Sequence, residues 1–348
     1  TGDQAATARA IAWRTGIVDD EDAEVVEGTD IPASADAWSE APDELRRANV
    51  FARVTPEQKL RLVEALHADG RTVAMTGDGI NDAPALETAD IGVAMGRRGT
   101  DAAREAADMV LQDDAFETIV AAIRQGRVIF ANIRTSVVFM LSTNLAEVLA
   151  VTAGSVLGAF TALPLPLLPL QILFLNVLTD VFPALALAVG EGSRNVMDRP
   201  PRPTDEAILA PRHWRGVVGW SLVLATSVMT ASALATYALK LETYEAITVS
   251  FLTLAFGKLW FTFVLRAPGT TPWRNDVVSN PWVWGALALC VPLLIAAVYL
   301  PGLSDVLRTR PLDASGWGLL LAFSLIPMLV GHGYRAWQDR AGSVADAA

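Results

Sequence analysis

Cysteine is almost absent. The single Cys290 lies in an apolar run, which excludes a disulfide framework and a cysteine-based metal centre. Basic residues are scarce in the first third: residues 1–125 hold 12 Lys+Arg against 25 Asp+Glu, and the remainder holds 15 against 13. The net charge of −11 therefore belongs to the amino-terminal region and argues against a nucleic-acid partner. The opening TGDQAATARAIAWRTGI lacks the basic start and apolar core of a secretory signal. It also lacks an initiator Met and starts inside what reads as a strand-to-helix turn, so a truncated chain is expected. The surplus is apolar: 52% hydrophobic residues and a mean hydropathy of +0.35, concentrated after Arg134. At 348 residues, two or three domains fit.

The first 125 residues alternate helix and strand signals. A helix is expected over Gln4–Thr15, then an acidic irregular stretch over Asp19–Ser39, a short strand at Val50–Arg53 and a helix at Pro56–Ala68 with Pro in its first turn. A strand at Arg71–Met75 then runs into a Thr-Gly-Asp-Gly-Ile-Asn-Asp loop. Helix Ala83–Ala89, strand Ile91–Met95, helix Asp101–Ala107 and strand Met109–Gln112 follow. Such alternation predicts a mostly parallel sheet covered by helices, with ligands at the carboxyl ends of its strands, where the loop Thr76–Asp82 lies. From Glu117 to Leu157 one helix is expected to change solvent halfway, charged at its start and apolar after Arg134, like a mast between two regions.

Six apolar runs follow Arg134: Ser136–Leu157, Leu167–Val189, Val217–Leu239, Ala246–Leu265, Trp282–Leu300 and Trp317–Val330, the last extending into its flanks to about residue 334. The expected domains are 1–125, a six-helix membrane part over 126–335, and a disordered tail over 336–348. Loops on the side of the acidic region hold Arg194, Arg199, Arg202, Arg212, Arg215, Arg266 and Arg274, with Arg335 and Arg340 beyond the last span. The opposite side holds Lys240, Arg308 and Arg310. The bias places residues 1–125 in the cytoplasm of a multi-pass protein, most simply one of the plasma (cytoplasmic) membrane.

Two constellations carry chemistry. In the loop, Asp78 and Asp82 suit Mg²⁺, which takes one or two carboxylates with water and phosphate oxygens; Asn81 can donate to a phosphoryl oxygen. An Asp/Gly turn that merely reverses the chain has the same short pattern. In the first apolar run, Asn144 and Glu147 share a helix face; in the second, Asn176, Thr179 and Asp180 do. Pro183 cannot donate to the carbonyl of Thr179, which frees an oxygen beside Asp180. Ionisable groups at this depth are costly and mark ion pathways, whereas Asn144 or Thr179 alone would suit interhelical hydrogen bonding.

The strings Phe-Ala-Arg-Val-Thr-Pro-Glu-Gln-Lys (51–59) and Met-Thr-Gly-Asp-Gly-Ile-Asn-Asp-Ala-Pro-Ala-Leu (75–86) resemble the phosphorylation domain of P-type cation-transporting ATPases, within the haloacid-dehalogenase-like superfamily. Ile91-Gly-Val-Ala-Met-Gly, Met109-Val-Leu-Gln-Asp-Asp and the opening Thr-Gly-Asp extend the resemblance. Leu141-Ser-Thr-Asn-Leu-Ala-Glu and Pro169-Leu-Gln-Ile-Leu-Phe-Leu-Asn-Val-Leu-Thr-Asp resemble the fifth and sixth membrane helices of calcium-pump-like members, and Asp198-Arg-Pro-Pro-Arg also matches. The resemblance implies a partial Rossmann-like α/β phosphorylation domain followed by an α-helical transmembrane bundle of six helices. By it, Asp78 holds the catalytic Mg²⁺, Asn81 and Asp82 support phosphate and metal, Lys59 neutralises the phosphoryl group, and Thr1, Gly2 and Asp3 form another phosphate-side loop. ATP is the implied energy source. Asn144, Glu147, Asn176, Thr179 and Asp180 are the implied ligands of a transported cation.

Sodium and potassium pumps typically carry Asp where this chain has Asn176, so Ca²⁺ leads, ahead of Mn²⁺ and Na⁺. Two-site calcium pumps carry a carboxylate in the eighth membrane helix; here Ala255 stands there, with Lys258 one turn on. Lys258 reads as a lysine snorkelling toward the cytoplasmic interface, or as an internal cation replacing a transported one. The family's Asp-Lys-Thr-Gly nucleophile is not in this sequence, and its nucleotide-binding and actuator domains and first four membrane helices would precede Thr1. The chain alone is expected not to form an aspartyl-phosphate, and the missing amino-terminal half is an implied partner, as is the lipid bilayer. The alternative is a non-catalytic membrane cation-binding or assembly partner from a split or decayed pump gene. A soluble phosphatase conflicts with the six apolar runs.

Overall fold

The computed structural model describes residues 1–198, 200–203, 206–267 and 270–345. It divides into two units, Thr1–Ile123 and Arg124–Ala348. The first contains α1 (Ala5–Arg14), β1 (Val26–Glu27), α2 (Ala35–Ser39), α3 (Asp43–Arg47), β2 (Phe51–Ala52), α4 (Pro56–Ala68), β3 (Ala74–Gly77), α5 (Ala83–Thr88), β4 (Ile91–Met95), α6 (Asp101–Ala106) and β5 (Met109–Leu111). All strand pairs are parallel, but they form two sheets rather than one: β1 with β2, and β3-β4-β5. Central β4 is buried along four of its five residues, as a parallel strand covered on both faces must be. A Cβ at its Gly92 would stand 2.5 Å from the Leu86 carbonyl oxygen, so glycine is what lets α5 lie this close.

The helix starts follow local chemistry. Thr55 accepts from the Gln58 N–H while the Gln58 side chain accepts from the Thr55 N–H, a reciprocal capping box with Pro56 just inside the helix. Two expectations shift. The third strand starts at Ala74 rather than Arg71, because the Val73 N–H is taken by the Asp90 carboxylate at 2.8 Å. The acidic stretch 19–39 is less irregular than its charge suggests: β1 pairs with β2, and Trp38 of α2 is buried, its indole donating to Asp69.

Helix α7 (Phe116–Gly158), whose residues 116–123 fall in the first unit and the rest in the second, is one unbroken helix of 43 residues. Its buried positions, Val128, Asn132, Ser136, Phe139, the pairs Ser142–Thr143 and Ala146–Glu147, Ala150 and Gly154, return every three or four residues and form one stripe. There follow α8 (Pro169–Leu175), a π-helical turn (Asn176–Asp180), α9 (Val181–Ala188), α10 (Pro211–Ala233) with a second π turn (Leu234–Ala238), α11 (Thr243–Phe261) ending in a 3₁₀ turn, α12 (Pro281–Tyr299), α13 (Leu303–Leu307) and α14 (Ala314–Ala345). Among the described residues six helical stretches are long and apolar enough to cross a membrane, in agreement with the six apolar runs. Helix α11 is the axis of the bundle, with 94% of its apolar window buried.

Polar side chains tie the helices through backbone carbonyls: Ser136 to Ala184, Ser221 to Ser142, Ser227 to Phe323, and the buried Gln171 to Leu307. The tail departs from expectation. Helix α14 does not stop near residue 334 but continues to Ala345, through an Arg-Ala-Trp-Gln-Asp-Arg-Ala stretch of helix formers with no proline. Residues 346–348 of the expected tail, and Arg199 of the charge argument, lie outside the described residues.

Gly154 meets the Pro166 ring so closely that any added methyl collides with it. Gly154→Ala should therefore lower stability by about 1–3 kcal/mol. Thermal unfolding of the detergent-solubilised protein checks this, and an unchanged midpoint contradicts it.

Candidate functional site

The loop after β3 is held by its own residues. Gly77 ends the strand; a Cβ there would lie 2.6 Å from the Asp82 Cβ, so glycine lets Asp82 fold back against it. Asp82 is 7% exposed. One of its oxygens accepts from the Lys59 ammonium at 2.6 Å and the other from the Gly79 N–H at 3.3 Å. Burial disfavours the charged Asp82 carboxyl, but Lys59, through its hydrogen bond and its charge, and the backbone N–H groups outweigh this and hold it below the usual carboxylate range. Asp78 and Asn81 differ: both are exposed, and neither side chain forms a hydrogen bond among the described residues. The Asp78 carbonyl anchors the loop by accepting from Thr100 at 2.8 Å.

Lys59 and Asp82, predicted separately, are thus one ion pair, while Asp78 and Asn81 stand free beside it. That division fits a magnesium–phosphate site, since Mg²⁺ needs only one or two carboxylates and completes its shell with water and phosphate. Thr1 and Asp3 bond to each other, Thr1 Oγ1 donating to Asp3 Oδ2 at 2.7 Å, and run beside the end of β2 through the Arg53 and Val54 N–H groups. Among the described residues no hydrogen bond joins Thr1, Gly2 or Asp3 to Asp78, Asn81 or Asp82.

The bundle holds a second, drier cluster. Glu147 on α7, Asp180 at the end of the π turn and Lys258 on α11 are 4%, 3% and 0% exposed. The Lys258 ammonium donates to Glu147 Oε1 at 2.5 Å and to Asp180 Oδ1 at 2.8 Å. With its amide nitrogen turned toward the acids, Asn176 donates to Glu147 Oε2 at 3.0 Å and to Asp180 Oδ2 at 3.3 Å. All four carboxylate oxygens are then engaged.

This corrects the snorkelling reading of Lys258. Its helix packs against α10 and α14, its side chain is fully buried, and two buried carboxylates hold its ammonium. The signal was present in the sequence as charge arithmetic: two acids in apolar helices need a cation, and Lys258 is the cation on the neighbouring helix. Thr179 is buried, but its hydroxyl proton goes to the Leu175 carbonyl at 2.9 Å, leaving only lone pairs for a ligand. Asn144 is half-buried and joins none of these bonds.

The backbone around the cluster is prepared as well. Pro183 withholds the N–H that an α-helix would direct to Thr179, and the segment before it is the π turn Asn176–Asp180. Cys290 donates its thiol to the Leu178 carbonyl of that turn at 3.2 Å, which gives the lone cysteine a role in holding it. Among the described residues no three His, Cys, Asp or Glu side chains converge, so a cation here meets two carboxylates and must complete its shell with amide, hydroxyl, carbonyl or water oxygens.

Comparison with known proteins gives the same division. Residues 164–337 match the family described as cation transporting ATPase, C-terminus; residues 1–90 and 59–123 match haloacid dehalogenase-like hydrolase families. The probable cation-transporting ATPase F of Mycobacterium tuberculosis (strain ATCC 25618 / H37Rv) is 40% identical over 333 residues, 92% of this chain and 35% of that protein. Calcium-transporting ATPase 1 of Bacillus cereus is 36% identical over 344 residues, 95% of this chain and 38% of that protein. P-type sodium-transporting ATPase4 of Toxoplasma gondii is 45% identical over 223 residues, 62% of this chain and 16% of that protein. The chain thus spans little more than a third of the length of the first two.

Two outcomes follow from the geometry. Lys258→Met leaves two carboxylates buried without a cation and should cost about 3–5 kcal/mol, most of it restored when Glu147→Gln and Asp180→Asn are added. Thermal unfolding of the three forms decides this, and a Lys258→Met protein as stable as the parent contradicts it. In the loop, the lowered Asp82 pKa means that the Lys59 pairing stabilises the fold above the unfolded carboxylate value of about 3.9 and is lost as pH falls through the folded value. Lys59→Met should raise the Asp82 pKa in a carboxylate NMR titration; an unmoved titration contradicts the pairing.

Proposed function

This chain belongs to the P-type cation-transporting ATPases, and from that premise we propose that it supplies the phosphoryl-site loop and the ion-carrying bundle of an ATP-driven cation pump. The observation that carries the reading is the buried cluster of Glu147, Asp180, Asn176 and Lys258 at a π turn inside apolar helices. Groups of this kind are too costly at such depth for packing alone.

The transported ion on this reading is Ca²⁺, with Mn²⁺ and Na⁺ as the competitors to be tested. A hard divalent cation takes roughly 6–8 oxygens. Glu147, Asp180, Asn176 and Thr179 contribute side-chain oxygens, and the turn before Pro183 contributes carbonyls. Asn144 stands at the margin of that shell. Lys258 sets the stoichiometry: without an ion, its ammonium takes the ion's place between the two acids. An incoming cation displaces it and then holds both carboxylates. The lysine thus does the work that protons or a second ion would otherwise do, and the site moves a single divalent ion per cycle.

In the loop, bound Mg²⁺ would neutralise charge on phosphoryl oxygens, and Asp78 is the residue free to hold it. Asn81 reaches a phosphoryl oxygen, and Lys59 presents its positive charge to the phosphoryl group. Asp82 contributes mainly by fixing Lys59, and Thr1–Asp3 serve as an accessory phosphate-side loop. ATP and the nucleophilic Asp come from parts of the pump that the family pattern places outside the residues of this chain, so residues 1–348 alone do not form the phosphoenzyme. Helix α7 carries the change at the loop to Glu147. Residues 1–125 lie in the cytoplasm, and the bundle in the plasma membrane.

The test uses the full-length pump in sealed vesicles, counting ions moved per ATP. Wild type should move a single Ca²⁺ per ATP with Asp180 required for Ca²⁺-dependent phosphorylation, and Lys258→Met should change the ratio or couple transport to protons. An unchanged ratio without proton coupling rejects the resident-cation role. Ca²⁺-dependent phosphorylation that survives Asp180→Asn rejects the ion site.

A further inference from the structure

Away from both clusters, a groove of about 820 Å³ opens between α10, the end of α11 and α14. Its lining contains Arg212, Arg215, Arg266 and Arg335 and no Asp or Glu. Arg212 is paired with Glu206 at 2.9 Å and adds little. Arg266 is the unusual one. It is 3% exposed, bonds to the Thr270 hydroxyl at 3.3 Å, and has no partner for its Nε. Among the described residues no carboxylate forms an ion pair with it. A buried guanidinium without an anion is costly, and the side chain lines the groove. Arg335 donates to the Arg266 carbonyl and so packs against the same wall, while Arg215 is exposed at the rim.

Deeper in, the groove changes character. Gly216 and Gly219, three apart on one face of α10, line it, and a side chain at either would meet nothing within 4 Å. Trp220, Val138, Val223 and Val330 complete an apolar wall along helices long enough to span a bilayer. An anion at the top and an apolar tail below satisfy the two halves together. Free phosphate would satisfy only the first.

We propose that this groove binds an anionic phospholipid, its headgroup phosphate on Arg266 with Arg215 at the rim, and one acyl chain along Gly216 and Gly219. By the charge bias of the loops this is the cytoplasmic end of the bundle, where anionic lipids are concentrated and basic pockets between helices recognise them. The site is separate from the Lys258 cluster and does not depend on which ion is carried.

The test is lipid retention by the full-length protein in detergent, read by native mass spectrometry with phosphatidylglycerol against phosphatidylcholine, and with inorganic phosphate as the soluble control. Wild type should retain phosphatidylglycerol preferentially, and excess phosphate should not displace it. Arg215→Gln, at an exposed position that leaves folding intact, should weaken retention about fivefold, and Arg266→Gln by at least as much. Gly219→Leu keeps every charge and fills the acyl path, so it should abolish the preference. Equal retention of the two lipids by wild type overturns the proposal. So does retention that survives Gly219→Leu, which would indicate surface attraction alone. Displacement by phosphate would assign the groove to a free anion and also overturn it.

Discussion

The bundle depends on one ammonium. Lys258 is fully buried on the central helix and holds Glu147 and Asp180 from two other elements. Each of these three groups alone would be far too costly at this depth; together, with Asn176 closing the remaining oxygens, they leave one net negative charge instead of two. The cluster also joins α7, the π turn and α11, so anything that separates the ammonium from the acids alters how three elements pack. On the proposed function an incoming ion would do that, which would give local chemistry a conformational consequence.

The loop after β3 obeys the same logic at a wetter site. Asp82 is withdrawn, paired with Lys59 and seated against Gly77, whereas Asp78 and Asn81 are left to solvent. Two aspartates four residues apart thus have different roles, one structural and one available. Both sites therefore place a lysine against a carboxylate. At the loop the lysine stands where a phosphate is proposed to go; in the bundle it stands where an ion is proposed to go.

Much of the fold was legible because local signals agreed. Pro56 in the first turn announces α4, the Ile91–Met95 run announces a strand of a parallel sheet, and the second half of α7 is visible as a long apolar run after Arg134. The misses arose where a distant partner decided. Strand β3 starts late because Asp90 takes the Val73 N–H, and β1 forms because β2 is beside it. Lys258 stayed divided between snorkelling and an internal cation for the same reason. Spacing along one helix shows which residues share its face, but not that α11 is the enclosed axis of the bundle. Arg266 was read only as a loop charge, although it is buried and no carboxylate pairs with it among the described residues.

On the proposed function, the Lys258 ammonium and the transported ion are alternative occupants of one site. High-resolution structures of the full-length pump with and without Ca²⁺ test it most directly. The ammonium is expected on Glu147 and Asp180 when Ca²⁺ is absent, and withdrawn from both, with Ca²⁺ on the two carboxylates, when it is present. An ammonium that keeps both carboxylates while Ca²⁺ binds elsewhere would contradict it.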